Sequence, residues 1–127
     1  MSEACTRGVR VRVRSQFVAE RSNPARSEYF FAYRIEIANV GEDSVRLLRR
    51  RWQITDAHGD VQEVEGPGVV GEQPVLSPGE AFEYTSACPL RTPFGSMRGH
   101  YRMITDAGEE FDAEIASFSL SQPYSVH

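Results

Sequence analysis

Between Val9 and Arg14 valine and arginine alternate as VRVRVR, and between Tyr29 and Ile37 a second run puts Tyr29, Phe31, Tyr33, Ile35 and Ile37 on one parity. Side chains repeat every two residues along a strand and every 3.6 along a helix, so both runs bury a single face only as β-strands. No window of ten or more residues shows a helical period. Val45 to Thr55, Val61 to Glu65, Phe82 to Ala87, Met97 to Met103 and Phe111 to Leu120 read as further strands. Seven or eight strands, with turn signals roughly every eight to twelve residues, point to an all-β chain: an antiparallel β-sandwich, immunoglobulin-like or fibronectin type III-like.

The third strand carries a conflict. Leu48, Arg50, Trp52 and Ile54 share a parity, and Trp52 is the only tryptophan. An unpaired guanidinium facing an apolar core is very costly. Two structural outcomes are expected: a bulge near Leu47-Leu48 that resets the parity, or a rim position with a carboxylate partner for Arg50. A phase change is also expected in the last strand, between Ile115 and Phe118. The word ITDA occurs at residues 54–57 and 104–107, in both places leading into a hairpin turn. Ser77-Pro78-Gly79 is a turn in which proline presets φ and glycine is free to take φ > 0.

A chain of 127 residues is long enough to bury a core without disulfide staples, and its 40% hydrophobic content is that of a globular protein. One domain spanning residues 1–127 is expected, with its core from about residue 8 to residue 121 and a short loose tail after it. Cys5 and Cys88 offer neither a metal-ligand spacing nor a disulfide framework. The first thirty residues contain no apolar export signal and no stretch long enough to span a bilayer, so a cytoplasmic location without membrane contact is expected.

Net charge is −4, which argues against a protein built to coat nucleic acid. The distribution is uneven: residues 1–51 carry +5 and residues 52–127 carry −9. Strands from both halves interleave in a sandwich, so this asymmetry need not survive folding. The arginine row at Arg10, Arg12 and Arg14 reads as the charged guard of an outer strand against edge-to-edge pairing.

Gly66-Pro67-Gly68-Val69-Val70-Gly71 spells the G-x-G-x-x-G of dinucleotide-binding folds. That fingerprint works when its glycines turn a strand into a helix whose N-terminus holds a pyrophosphate. Here Gly71 is followed by Glu72-Gln73-Pro74 and then by a second turn at Pro78-Gly79, which leaves no room for the helix. Pro67 also lacks one N–H that a phosphate cradle would use. His58, His100 and His127 lie apart without metal-ligand spacing, and no G-x-S-x-G frames a serine. Catalytic residues, metal ligands and cofactors are therefore all assigned as none.

Leu47-Leu48-Arg49-Arg50-Arg51-Trp52-Gln53-Ile54-Thr55-Asp56-Ala57, Gly68-Val69-Val70-Gly71-Glu72-Gln73-Pro74, Ser77-Pro78-Gly79, Tyr84-Thr85-Ser86 and Thr92 to Tyr101 together resemble the bacterial ApaG family. The likeness runs from about Val11 to Pro123. Arg51 and Ala87 stand where the family often has histidine and glycine. The resemblance implies a fibronectin type III-like sandwich, a cytosolic bacterial protein and a link to cobalt resistance and magnesium efflux. It also implies protein-interaction use, and it brings no established catalytic residues. The expected function is a non-enzymatic binding module for another protein. Its contact loop is Gly66, Gly68, Gly71, Glu72 and Gln73, with Arg49 and Arg51 as basic contacts. The alternative is a weak anion or pyrophosphate binder through the Gly66–Gly71 loop.

Overall fold

The valine–arginine alternation forms a strand, Val9–Phe17, with Val9, Val11 and Val13 at 1% exposure or less and the arginines on the opposite face. It is the second of nine strands in a computed structural model that describes residues 1–123. In chain order these are β1 (Ser2–Thr6), β2 (Val9–Phe17), β3 (Tyr29–Asn39), β4 (Val45–Asp56), β5 (Val61–Pro67), β6 (Val75–Leu76), β7 (Ala81–Leu90), β8 (Phe94–Thr105) and β9 (Glu110–Ser121). Two single 3-10 turns, Ala19–Arg21 and Pro24–Arg26, lie between β2 and β3. The loose tail expected after the core lies, from residue 124 on, outside the described residues.

All strand pairs are antiparallel, in two sheets ordered β1-β2-β3-β7 and β5-β4-β8-β9, with β6 pairing the start of β4 beyond the end of β5. The sheets face each other as a sandwich. One continuous core fills the space between them, including Phe31, Ile35, Leu47, Trp52, Tyr101, Met103 and Leu120. Trp52 is its hub, meeting Tyr33 of the opposite sheet at 5.5 Å and Phe118 at 5.9 Å between ring centroids. Both contacts are edge-on, the arrangement that aromatic quadrupoles favour.

The sandwich is closed along one side. β1 and β2 run against β9, where Ser2 donates to the Ala116 carbonyl at 2.9 Å and Ser15 to that of Ser119 at 2.6 Å. Along the other side β5 and β7 are both sheet edges and do not pair. The strand reading missed the two-residue β6 and also β1, whose sequence SEACT has no apolar alternation. This changes the place of β2: it lies inside its sheet, between β1 and β3, and is no outer strand. Its arginines meet carboxylates across the strands, Arg12 with Glu3 at 2.5 Å and Arg10 with Glu36 at 3.4 Å.

Both expected irregularities are present. The β4–β8 register shifts between Leu47 and Arg49, and the β8–β9 register shifts between Met97 and Gly99, opposite Phe118 and Ile115. In β4 the bulge changes which parity is buried, from Val45 and Leu47 before it to Trp52 and Ile54 after it. Arg50 points between the sheets, not outward. The bulge lies before Arg50, so it turns Val45 and Leu47 inward but leaves Arg50 on the same side as Trp52, and the conflict stands.

Candidate functional site

The glycine-rich stretch lies over the β4 bulge. β5 runs to Pro67, with Gly66 opposite Arg50 and Pro67 opposite Arg49. The chain then crosses the bulge: the Gly68 N–H donates to the Leu48 carbonyl at 2.9 Å, and the Gln73 side-chain amide donates to the same oxygen at 3.0 Å. Pro74 accepts from the Leu47 N–H at 3.0 Å. A bulge leaves backbone groups unpaired on its strand, and these bonds satisfy them.

Between these anchors the stretch is a two-residue hairpin. Val69 and Glu72 exchange N–H···O bonds of 2.8 Å in both directions. The two residues at its tip both have positive φ, Val70 at 42° and Gly71 at 80°, the signature of a type I′ turn. Gly71 suits that backbone. Val70 does not, because a β-branched side chain in the left-handed region is a genuine outlier. Val70 is also 57% exposed, whereas its neighbour Val69 is buried at 1%. No helix follows Gly71, so the G-x-G-x-x-G has none of its nucleotide-binding context.

The arginine triplet is split by the pleat. Arg49 and Arg51 lie on the outer face of β4 and Arg50 on the inner. Arg51 is held by Glu63 and Glu65 of β5, each at 3.2 Å. Arg49 lies opposite Arg102 of β8, which takes Glu110 and Asp112 at 3.1 Å each, and no carboxylate among the described residues pairs with Arg49. Arg50 finds carbonyls in place of the carboxylate expected for it. Its Nη1 donates to the oxygens of Pro67 and Gly68, both at 3.0 Å. Its guanidinium lies on Gly66, where a Cβ would approach Nη1 and Nη2 to 3.0 Å. The loop carbonyls thus face a cation, and the amides of Gly68, Val69 and Glu72 are already bonded within the chain.

Sequence reasoning passed over what surrounds Arg50. The Tyr84 and Tyr101 hydroxyls hydrogen-bond each other in the core, and Tyr33 lies beside them. Burial raises all three tyrosine pKa values, and the Arg50 charge opposes that rise at each. Burial also pushes the Cys88 thiol up to about 11. The misfit of Arg50 in its strand was the one signal that pointed here.

These shifts give alkaline pH a definite effect. Each group is a neutral acid whose folded pKa lies above its unfolded one, so the unfolded chain releases protons first as pH rises. Stability is full below about pH 9 and falls above it, first through Cys88 and then, from about pH 10, through the tyrosines, by up to about 1.4 kcal/mol per group per pH unit. Urea unfolding at pH 8 and pH 10.5 checks this: the midpoint falls at the higher pH, and Cys88→Ala removes the earliest part of the fall.

His100 is on the outer face of β8, with Nε2 at 3.7 Å from Asp112. Cys5 is an exposed thiol and Cys88 a buried one. Among the described residues no group of three or more His, Cys, Asp and Glu is placed to hold a metal ion, and no helix is long and apolar enough to cross a membrane.

The chain has close relatives. Protein ApaG of Methylobacterium radiotolerans is 58% identical over 124 residues, covering 98% of this chain and 95% of the relative. Protein ApaG of Beijerinckia indica is 53% identical over 125 residues, covering 98% and 96%. A crystal structure of the protein assigned as ApaA from Bordetella pertussis superposes with a TM-score of 0.90 at 47% identity, covering 92% of this chain and 95% of that one. None of these names states a reaction. The model of the ApaG domain matches residues 19–105, which hold the β4 bulge, the glycine hairpin and the tyrosine cluster, and the chain belongs to the ApaG domain family.

Proposed function

We propose that the chain is a non-enzymatic interaction module, working in the cytoplasm, that binds another protein through the Val69–Glu72 turn and the adjoining outer face of β4. Val70 carries this reading. A left-handed β-branched residue costs about 1–2 kcal/mol, and here it also leaves an apolar side chain in water at the tip of a rigid hairpin. Packing within the chain does not account for it, whereas an apolar spot on a partner does. Arg49, opposite Pro67 and without an acid partner among the described residues, supplies a cation on the adjoining outer face of β4. Arginine is among the residues enriched at binding hot spots.

Gly71 and Glu72 belong to the same tip. Gly66, Gly68 and Gln73 support it from below through Arg50 and the Leu48 carbonyl. Arg51, tied to two glutamates, contributes less. The link to cobalt resistance and magnesium efflux implied by the family resemblance is, in this reading, indirect and exerted through the partner. The alternative of a pyrophosphate or anion site in the Gly66–Gly71 loop has less behind it, because loop carbonyls face Arg50 and the amides of Gly68 and Val69 are engaged.

Val70→Asn tests the proposal. Asparagine tolerates the left-handed region and removes the apolar knob, so the variant is expected to be more stable by about 1 kcal/mol and to lose the protein that wild-type bait captures from native cells. Capture of the same protein at the same yield by the variant would exclude the tip as the contact.

A further inference from the structure

The open side of the sandwich holds a cleft of about 250 Å³ between the inner faces of β4–β5 and β3–β7. Arg50, Tyr33 and Ser86 line it as polar groups, with Trp52, Val64 and Met97 among its apolar ones. It lies on the inner side of β4, away from the outer face proposed above for a protein partner. From this arrangement we infer a second site: the cleft binds a single carboxylate group, on a small apolar or aromatic body, with Arg50 as its anchor.

The charge balance makes the case. Arg50 is half-buried between the sheets, and among the described residues its partners are two neutral carbonyls, both taken by Nη1. A guanidinium has five N–H donors in a planar fork, so Nε and Nη2 remain for a further acceptor. A carboxylate matches the fork with two parallel bonds and replaces the hydration that partial burial takes from the guanidinium. Gly66 gives the guanidinium room to lie against its backbone, where a Cβ would press on it at 3.0 Å. Tyr33 and Ser86 bring hydroxyls from the opposite sheet, with Ser86 donating to Tyr33 and the Tyr33 proton left for the ligand.

Size and charge select the ligand. Sites for drug-sized ligands occupy about 300–1,000 Å³, so this cleft suits a small acid or the end of a chain and is too small for a nucleotide. A single cation among neutral tyrosines balances one negative charge, not the two of a phosphate monoester. Val64 and Pro89 offer apolar surface to the body that carries the carboxylate, and Trp52 and Met97, at 3% and 1% exposure, close the floor beneath it.

The test is a titration of the whole protein with benzoate, followed by the Arg50 Nε–H resonance and Trp52 fluorescence, with benzyl alcohol as the uncharged control. Saturable shifts are expected with benzoate, half-complete at or below about 10 mM, and none with the alcohol. Tyr33→Phe and Ser86→Ala, which leave the Arg50 anchor in place, are each expected to weaken benzoate binding about three- to tenfold. Arg50→Met abolishes it, and the two hydroxyl variants decide the matter if that protein does not fold. Short peptides ending in phenylalanine, as free acid and as amide, separate the two sources of the carboxylate. Binding of the free-acid peptide assigns the site to a chain end, and binding of benzoate alone assigns it to small acids. Absence of shifts with both acids at 50 mM, or equal shifts with acid and alcohol, would overturn the inference.

Discussion

Gly68→Ala is expected to destabilise the protein by about 2–4 kcal/mol, the largest effect of the three motif glycines. Gly68 has φ 59°, and a Cβ there would lie 2.2 Å from the Glu72 carbonyl oxygen. The neighbour is backbone held in a two-residue hairpin, so it cannot yield cheaply. Gly66→Ala brings a Cβ to 3.0 Å from the Arg50 guanidinium, the flexible end of a side chain that can give way slightly, and is expected to cost no more than about 1 kcal/mol. Gly71→Ala meets nothing within 4 Å and carries only the left-handed penalty of about 1–2 kcal/mol. Urea unfolding of the three variants reads the order directly. A phosphate cradle would show a different pattern, with small stability effects throughout and a loss confined to ligand binding.

Trp52→Ala is expected to cost about 3–5 kcal/mol. The indole is 3% exposed and makes edge-on contacts with Tyr33 of one sheet and with Tyr101 and Phe118 of its own. Removing it opens a void at the centre of the sandwich, where backbones on both sides are tied into sheets and collapse poorly. It also deepens the cleft beside Arg50. Unfolding followed by circular dichroism measures the loss, since the variant has no tryptophan emission. A cost below about 1 kcal/mol would mean that the two sheets close over the gap.

Seven strands were legible because their faces differ: one side of each is apolar and the other polar, and a period of two is visible wherever that holds. β1 was not legible, since Ser2, Ala4 and Thr6 face β9 without an apolar run. The late phase change in β9 was readable because Phe111, Ala113 and Ile115 and then Phe118 and Leu120 break step in the sequence itself. The β4 bulge was readable in place but not in consequence. Parity puts Arg50 on the side of Trp52 and shows that the strand must slip somewhere near Leu48, but not what Arg50 pairs with, because that depends on the loop beyond β5 turning its carbonyls inward.

The candidate site was legible in part. The missing helix after Gly71 could be read from Pro74 and from the second turn at Pro78-Gly79. The conformation of Val70 could not, since valine is the last residue that local propensity would place at φ 42°. Nor could the gathering of Tyr33, Tyr84, Ser86 and Arg50, which come from three strands in two sheets. Their meeting depends on register, and the registers were unknown until the bulge was placed. Separate words that carried the family resemblance, around Gly68 and Tyr84, meet around Arg50.

Amide hydrogen exchange at Gly68, Val69 and Glu72 tests most directly whether the glycine-rich stretch is a closed hairpin whose donors serve the fold. Each of these amides donates within the chain, at 2.9, 2.8 and 2.8 Å respectively. The expected result is protection of all three at levels close to those of the flanking strands, unchanged when inorganic pyrophosphate is added. Fast exchange across the stretch, with protection gained on adding pyrophosphate, would contradict the account and restore the loop as an anion cradle.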